Sequence, residues 1–199
     1  MRIDVVVFDG VDDLDVIAPY ETWSMARRAG VDVGVRLVSA SGTPQVDTAH
    51  GLRLGPVQPW SPVDADVLLV PGGGAGAGRA AGVAAELGTG RLPDALRAAV
   101  RPGLILASVC TGALLLGAAG LLTGRPCTTH HRLAGRLSEA GGKPVDARVV
   151  DDGDLVTAGG ITSGFDLALW LLERFHGAEV ATRVADGLEY ERRGEVWRS

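Results

Sequence analysis

The sequence predicts an α/β protein with a mostly parallel central sheet covered by helices on both faces. Three observations predict it. Short aliphatic runs alternate with amphipathic segments of helical period along the chain, the pattern of strand–helix–strand crossovers. The first run, residues 3–8, is apolar and β-branched, as suits a strand buried on both sides. Polar or glycine-rich segments follow three predicted strand ends, at residues 9–15, 71–74 and 110–112. Right-handed crossovers would bring these together at the carboxyl ends of the strands, where open sheets place ligand chemistry.

After the strand at 3–8, Asp9-Gly10 and Asp12-Asp13 mark a turn. Pro19 suits the first turn of a helix, because its missing N–H costs nothing there, so a helix is expected over 19–28, ending near Gly30. A second strand covers 33–39, Ser41-Gly42-Thr43-Pro44 is a turn, and Val46 and residues 52–54 read as short extra strands. Residues 66–70 form a third core strand ending at Pro71-Gly72-Gly73-Gly74. Residues 75–90, rich in Gly and Ala, are expected to be flexible. A helix over 92–100, a strand over 104–109 and a helix over 111–121 follow. Residues 127–129 read as a short strand and 131–140 as a helix closed by Gly141-Gly142. Strands at 145–150 and 154–157 flank the Asp151-Asp152-Gly153 turn. Two amphipathic helices, over 161–175 and 178–188, lead to a polar tail.

The 199 residues suit a single domain, 1–199, with a sizeable core. Hydrophobic residues make up 46% and mean hydropathy is +0.20, which excludes a disordered chain. A net charge of −5 favours neither nucleic acid nor an anionic membrane as partner. The first residues, interrupted by Asp4, do not read as a signal peptide, and no run approaches the roughly 20 apolar residues of a membrane span. The two cysteines, Cys110 and Cys127, are too distant in sequence for a CxxC pair and too few for a disulfide scaffold. Reduced thiols in the cytoplasm account for them most simply. Of the four histidines, adjacent His130 and His131 would point apart on any regular element, so no metal site is expected.

Cys110 is the leading candidate for chemistry. It ends the aliphatic run 104–109 and precedes a glycine-punctuated helical pattern. A tight strand-to-helix turn exposes its side chain above the sheet, beside the N–H groups and positive dipole of a helix start. That setting is expected to lower the thiol pKa and favour a nucleophilic thiolate; the alternative is a buried structural cysteine. Gly72-Gly73-Gly74 is no P-loop, since no Lys-Ser/Thr follows. It is either a bare tight turn or a pair of N–H donors forming an oxyanion site. Asp15 is either a helix cap or an acid facing the other strand ends. Asp9, Asp12 and Asp13 read as solvated turn residues, and Cys127 as a packed strand residue.

The segments Ala107-Ser108-Val109-Cys110-Thr111-Gly112-Ala113, Gly117 through Arg125 and Thr128-Thr129-His130 resemble the DJ-1/PfpI superfamily. Leu14-Asp15-Val16-Ile17-Ala18-Pro19, Val70-Pro71-Gly72-Gly73-Gly74 and the run from Thr157 to Asp166 agree with it, colinear over 3–188. The resemblance implies a three-layer, flavodoxin-like (class I glutamine amidotransferase-like) sandwich, a homodimer, a small-molecule substrate and no cofactor or metal. Cys-Thr-Gly with Asp at position 15 is similar to the isocyanide (isonitrile) hydratase branch. That implies a hydro-lyase with Cys110 as nucleophile, Asp15 as general acid and Thr111 contributing an N–H and a hydroxyl. Gly72 and Gly73 would supply N–H groups, and His130 would stand behind the site. Ile17-Ala18-Pro19, where these hydratases tend to have Thr-Gly-Pro, and His131, where Trp is common, are departures outside the nucleophile. Glyoxalase-like or amidase-like turnover, or a cysteine-based redox or small-molecule sensor, are the alternatives. Cys-Thr-Gly also occurs in AraC-type regulators, which continue into a helix-turn-helix; a chain ending at Ser199 is expected to lack one.

Overall fold

A computed structural model describes residues 1–76 and 80–199. β1 (Arg2–Val6) leads to α1 (Asp13–Arg28), followed by β2 (Gly34–Ser39), β3 (Val46–Asp47), β4 (Arg53–Leu54) and β5 (Gln58–Pro59). β6 (Val67–Val70) precedes α2 (Val83–Thr89) and α3 (Arg91–Ala99), and β7 (Ile105–Val109) runs into α4 (Gly112–Ala118). Then come β8 (Pro126–Cys127), α5 (Ala134–Glu139), β9 (Lys143–Pro144), β10 (Val149–Asp151) and β11 (Leu155–Ala158). α6 (Ser163–His176), α7 (Ala178–Gly187) and β12 (Trp197–Arg198) end the chain.

Among the described residues the main sheet has eight strands, in the order β12-β10-β11-β7-β6-β1-β2-β5. Every pair in it is parallel except β10 with β11. Helices α1, α6 and α7 pack on one another, and α2 to α5 form a second group, so the fold is a three-layer α/β sandwich. The central strands explain this: all four residues of β6 and all five of β7 are buried, and such strands are stable only with both faces covered. Trp23, fully buried on α1, ties that helix to α6 by donating its indole N–H to the Ala168 carbonyl at 3.3 Å. The neighbours β7, β6 and β1 deliver Cys110, the glycine turn and the Asp15 segment to one end of the sheet.

Several boundaries differ from the sequence expectation. α1 begins at Asp13, not Pro19, because Asp12 caps it by accepting from the N–H groups of Leu14 and Asp15. The helix continues through Pro19, and Asp15 lies in its first turn. Within the stretch expected to be flexible, Val83–Thr89 is helical; residues 77–79 of that stretch lie outside the described residues. The helix expected over 131–140 is a 3-10 turn, His131–Leu133, followed by α5. Edge strands β5 and β12 have two residues each, too few to show a period.

Candidate active site

Cys110 sits between β7 and α4 with φ of 56°, a left-handed conformation uncommon for any residue but glycine. Its N–H donates to the carbonyls of Ala158 (3.1 Å) and Gly159 (2.8 Å) at the end of β11. Its carbonyl accepts from the Thr129 hydroxyl at 2.7 Å. Those bonds hold the elbow in its strained form. Gly112 follows because a Cβ there would collide with the Val70 and Pro71 carbonyls of the neighbouring strand end.

Asp15 is completely buried and points into the same corner. Its Oδ2 accepts from the Gly72 N–H at 2.9 Å, while among the described residues Oδ1 has no hydrogen-bond partner of normal geometry. The Gly73 N–H donates to the Thr111 hydroxyl oxygen at 2.9 Å. Both glycine N–H groups are thus engaged inside the protein, and the expected pair of free oxyanion donors is corrected: they hold the acid and the threonine in place. A side chain at position 72 has no room. A Cβ there would press on Thr111 Oγ1, 2.6 Å from the Thr111 nitrogen and 2.9 Å from Asp15 Oδ2. Gly72→Ala is therefore expected to lose about 1–3 kcal/mol of stability through overpacking and to split Asp15 from Thr111, measured by denaturant unfolding beside turnover.

The electrostatics reverse one expectation. Burial pushes the Cys110 thiol up to about 12, and the Asp15 charge adds to that. The lowered thiol pKa expected from a helix start is corrected: desolvation disfavours the thiolate more than one short helix favours it. The N–H groups of Ile161 and Thr111 oppose the rise by hydrogen bonding to the sulfur. Burial likewise pushes Asp15 up to about 8, helped by the Asp12 charge and opposed by the Gly72 N–H and the Cys110 side chain. Two groups that repel each other's charge in a dry corner share their protons as a unit, and near neutral pH the carboxyl holds its proton.

His130 is half-buried against Gly160, where a Cβ would fall 2.7 Å from its ring. Its Nδ1 accepts from the Arg132 N–H at 3.3 Å. Burial and the neighbouring His131 and Arg132 charges hold its pKa below the ordinary value. The two histidine rings stack at 4.5 Å, not apart as expected, because they lie at an irregular turn and not on a regular element. Among the described residues no cluster of His, Cys, Asp and Glu could hold a metal ion. Asp13, expected to be solvated, accepts from the Thr48 hydroxyl (2.6 Å) and pairs with His50 (2.7 Å). Cys127 is fully buried. An open groove of about 1340 Å³ meets the elbow at Thr129 and Ile161 and extends past His130 and Arg148.

The profile of the DJ-1/PfpI family matches residues 1–174. The chain belongs to the DJ-1/PfpI family. Among similar family members, isonitrile hydratase of Pseudomonas putida is 38% identical over 191 residues, covering 96% of this chain and 78% of that protein. The crystal structure of a ThiJ/PfpI family protein from Pseudomonas syringae superposes with a TM-score of 0.75 at 28% identity, over 97% of this chain and 76% of that one. Drosophila melanogaster DJ-1beta superposes with a TM-score of 0.80 at 23% identity, over 96% and 98% of the two chains, which shows the shared fold.

In this DJ-1/PfpI chain the structure brings Cys110, Asp15, Thr111, Gly72 and Gly73 together and leaves His130 in the adjoining groove. Sequence reasoning missed Ile161, whose N–H reaches the Cys110 sulfur and whose φ of 48° is rare for a β-branched residue. Its only sequence signal is the glycine pair before it, Gly159-Gly160, which marks a turn without saying where the next N–H points. Asp12, expected from the sequence to be a solvated turn residue, is half-buried and takes a structural part instead. Its role comes from capping α1 and from its charge acting through space on Asp15.

Proposed function

We propose that the protein hydrates isocyanides to N-substituted formamides through a covalent thioimidate on Cys110, without a cofactor. The observation that carries this reading is the buried Asp15 carboxyl, held at one oxygen by the Gly72 N–H and coupled to the Cys110 side chain. The similarity to isonitrile hydratase supports the substrate class. The Cys110 thiolate attacks the terminal isocyanide carbon. A carbon–sulfur bond forms, and the carbon–nitrogen triple bond becomes a double bond as Asp15 gives its proton to that carbon. Water then adds across the carbon–nitrogen double bond, with the Asp15 carboxylate taking one water proton and passing it to nitrogen. Carbon–sulfur cleavage expels the thiolate as the hydroxyl proton of the adduct passes to the Asp15 carboxylate, which releases the formamide and restores thiolate beside carboxylic acid. One water is consumed and nothing is oxidised or reduced.

Each role has a physical basis. A covalent intermediate splits one difficult addition into two easier ones, and a carboxyl with a pKa raised to about 8 is loaded to act as an acid near neutral pH. The N–H groups of Thr111 and Ile161 ease the negative charge on sulfur. The same reading carries a homodimer in the cytoplasm. The test is to mix the purified protein with an aryl isocyanide and follow formamide absorbance, with methylglyoxal as the comparison substrate. Formamide formation at enzymatic rates is expected. Methylglyoxal turnover with inert isocyanides would transfer the assignment to glyoxalase-like chemistry at the same cysteine.

A further inference from the structure

We propose that Arg148 is a positioning residue for the Cys110 sulfur, acting through the 159–162 elbow that it grips from the side opposite the cysteine. β11 lies between β10 and β7 in the sheet, so the residue after β11, Gly159, has a neighbour on each side. Its N–H donates to the Arg148 carbonyl at 2.9 Å, and its carbonyl accepts from the Cys110 N–H at 2.8 Å. The Arg148 side chain takes a second hold on the elbow, with Nη2 donating to the Thr162 hydroxyl at 3.2 Å. Thr162 precedes α6 at the position where a hydroxyl ordinarily caps a helix, yet it makes no capping bond; its oxygen accepts from Arg148 instead.

The guanidinium is itself locked. Its Nε donates to Asp166 Oδ2 at 2.8 Å and its Nη2 lies 2.6 Å from the same carboxylate. Asp166 is almost fully buried in the first turn of α6, where the helix dipole favours its charge. It also accepts from the Tyr190 hydroxyl and the Arg193 N–H, each at 3.0 Å. An anchored arginine therefore fixes both ends of a three-peptide span that contains Ile161. That matters because the left-handed Ile161 conformation is costly and persists only where its surroundings enforce it. When the elbow relaxes, the Ile161 N–H turns away from the sulfur. Arg148 touches neither reacting atom in this scheme and acts only by aiming that donor.

The inference rests on Cys110 being the reactive group of the proposed function, but its test needs no isocyanide. Iodoacetamide labelling of Cys110 in the intact chain, read by mass spectrometry at that residue across a pH series, reports the thiolate directly. Arg148→Met is expected to raise the midpoint pH of labelling by about half a unit or more and to slow labelling near neutral pH at least about threefold, because the thiolate loses a donor. Arg148→Lys keeps the charge but not the planar fork and is expected to fall between wild type and Arg148→Met. Arg174→Met is the control: it breaks a comparable half-buried ion pair, to Asp151 at the far end of α6, and is expected to lower Tm without moving the midpoint. An unchanged midpoint in folded Arg148→Met, or an equal shift in Arg174→Met, overturns the proposal. If Arg148→Met does not fold, the same midpoint criterion applied to Arg148→Lys decides it. Failure of isocyanide turnover with the midpoint shift present would discard the substrate and leave the positioning role standing.

Discussion

Cys110→Ser is expected to abolish formamide production, with kcat reduced by at least about a thousandfold, while the fold stays intact. A serine hydroxyl in the same dry corner is far harder to ionise than a thiol and is a poorer nucleophile and leaving group, so both halves of a covalent route fail. The bonds that shape the elbow use the Cys110 backbone, not its sulfur: N–H to Ala158 and Gly159, carbonyl from Thr129. Serine keeps all of them, so thermal stability should change by only about 1 kcal/mol. The companion measurement is intact mass of wild-type protein quenched during turnover. It should show an adduct of the isocyanide's mass on Cys110 that is missing from Cys110→Ser. Full activity in the serine variant would end the covalent mechanism outright.

Asp15→Asn is expected to lose about 10²–10⁴ in kcat, the usual worth of a general acid, while Cys110 remains open to alkylation. The amide can still accept from the Gly72 N–H, but it has no proton to give to the isocyanide carbon. The wild-type pH profile follows from the pair acting as a unit. The neutral pair carries two protons; losing one gives mainly carboxylate beside thiol, in fixed ratio with its reactive tautomer, thiolate beside carboxylic acid. Because that first loss belongs to a site raised to about 8 and the second to one raised to about 12, kcat/KM should climb as pH rises through about 8 and then level off. A profile that falls through that range would contradict a thiolate nucleophile.

Stability should move the opposite way. The folded protein binds the Asp15 proton more tightly than the unfolded chain does, with a site near 8 against an ordinary value of 3.8. The contribution of this group is therefore fully present below about pH 4 and is lost as pH rises through about 8. Asn carries no charge to bury, so Asp15→Asn should be more stable than wild type above pH 8 by a few kcal/mol, at roughly 1.4 kcal/mol per pKa unit. Higher Tm with lower turnover in one variant is what a buried catalytic acid entails. A destabilised Asn variant at alkaline pH would place the carboxylate in a favourable ion-binding role instead.

The layered fold and the strand-to-helix turn at Cys110 were readable from the chain because they are short-range features. An aliphatic run ending in Cys-Thr-Gly identifies the turn without reference to any distant residue. Asp15 was harder. It could be nominated only once alternating strands and helices implied that segments after different strands meet. Pro19 reads as a helix start, whereas Asp12 supplies the stronger signal and starts the helix earlier. The glycines are legible as a turn with N–H donors, but not what those N–H groups bond to. Whether an N–H is free depends on what lies across from it, and here the partners are Asp15 and Thr111, 57 and 38 residues away.

Residue order alone therefore specifies the alternation of strands and helices, the tight strand-to-helix turn that carries the thiol, and which polar groups reach the carboxyl ends of β1, β6 and β7. Those features arise from local period, local turn chemistry and a rule of connection handedness. Folding in three dimensions adds the protonation state of the Cys110–Asp15 pair, the engagement of the Gly72 and Gly73 N–H groups, and the aim of the Ile161 N–H. These depend on water exclusion and on charges and donors acting across space, and such quantities exist only after remote segments have packed together.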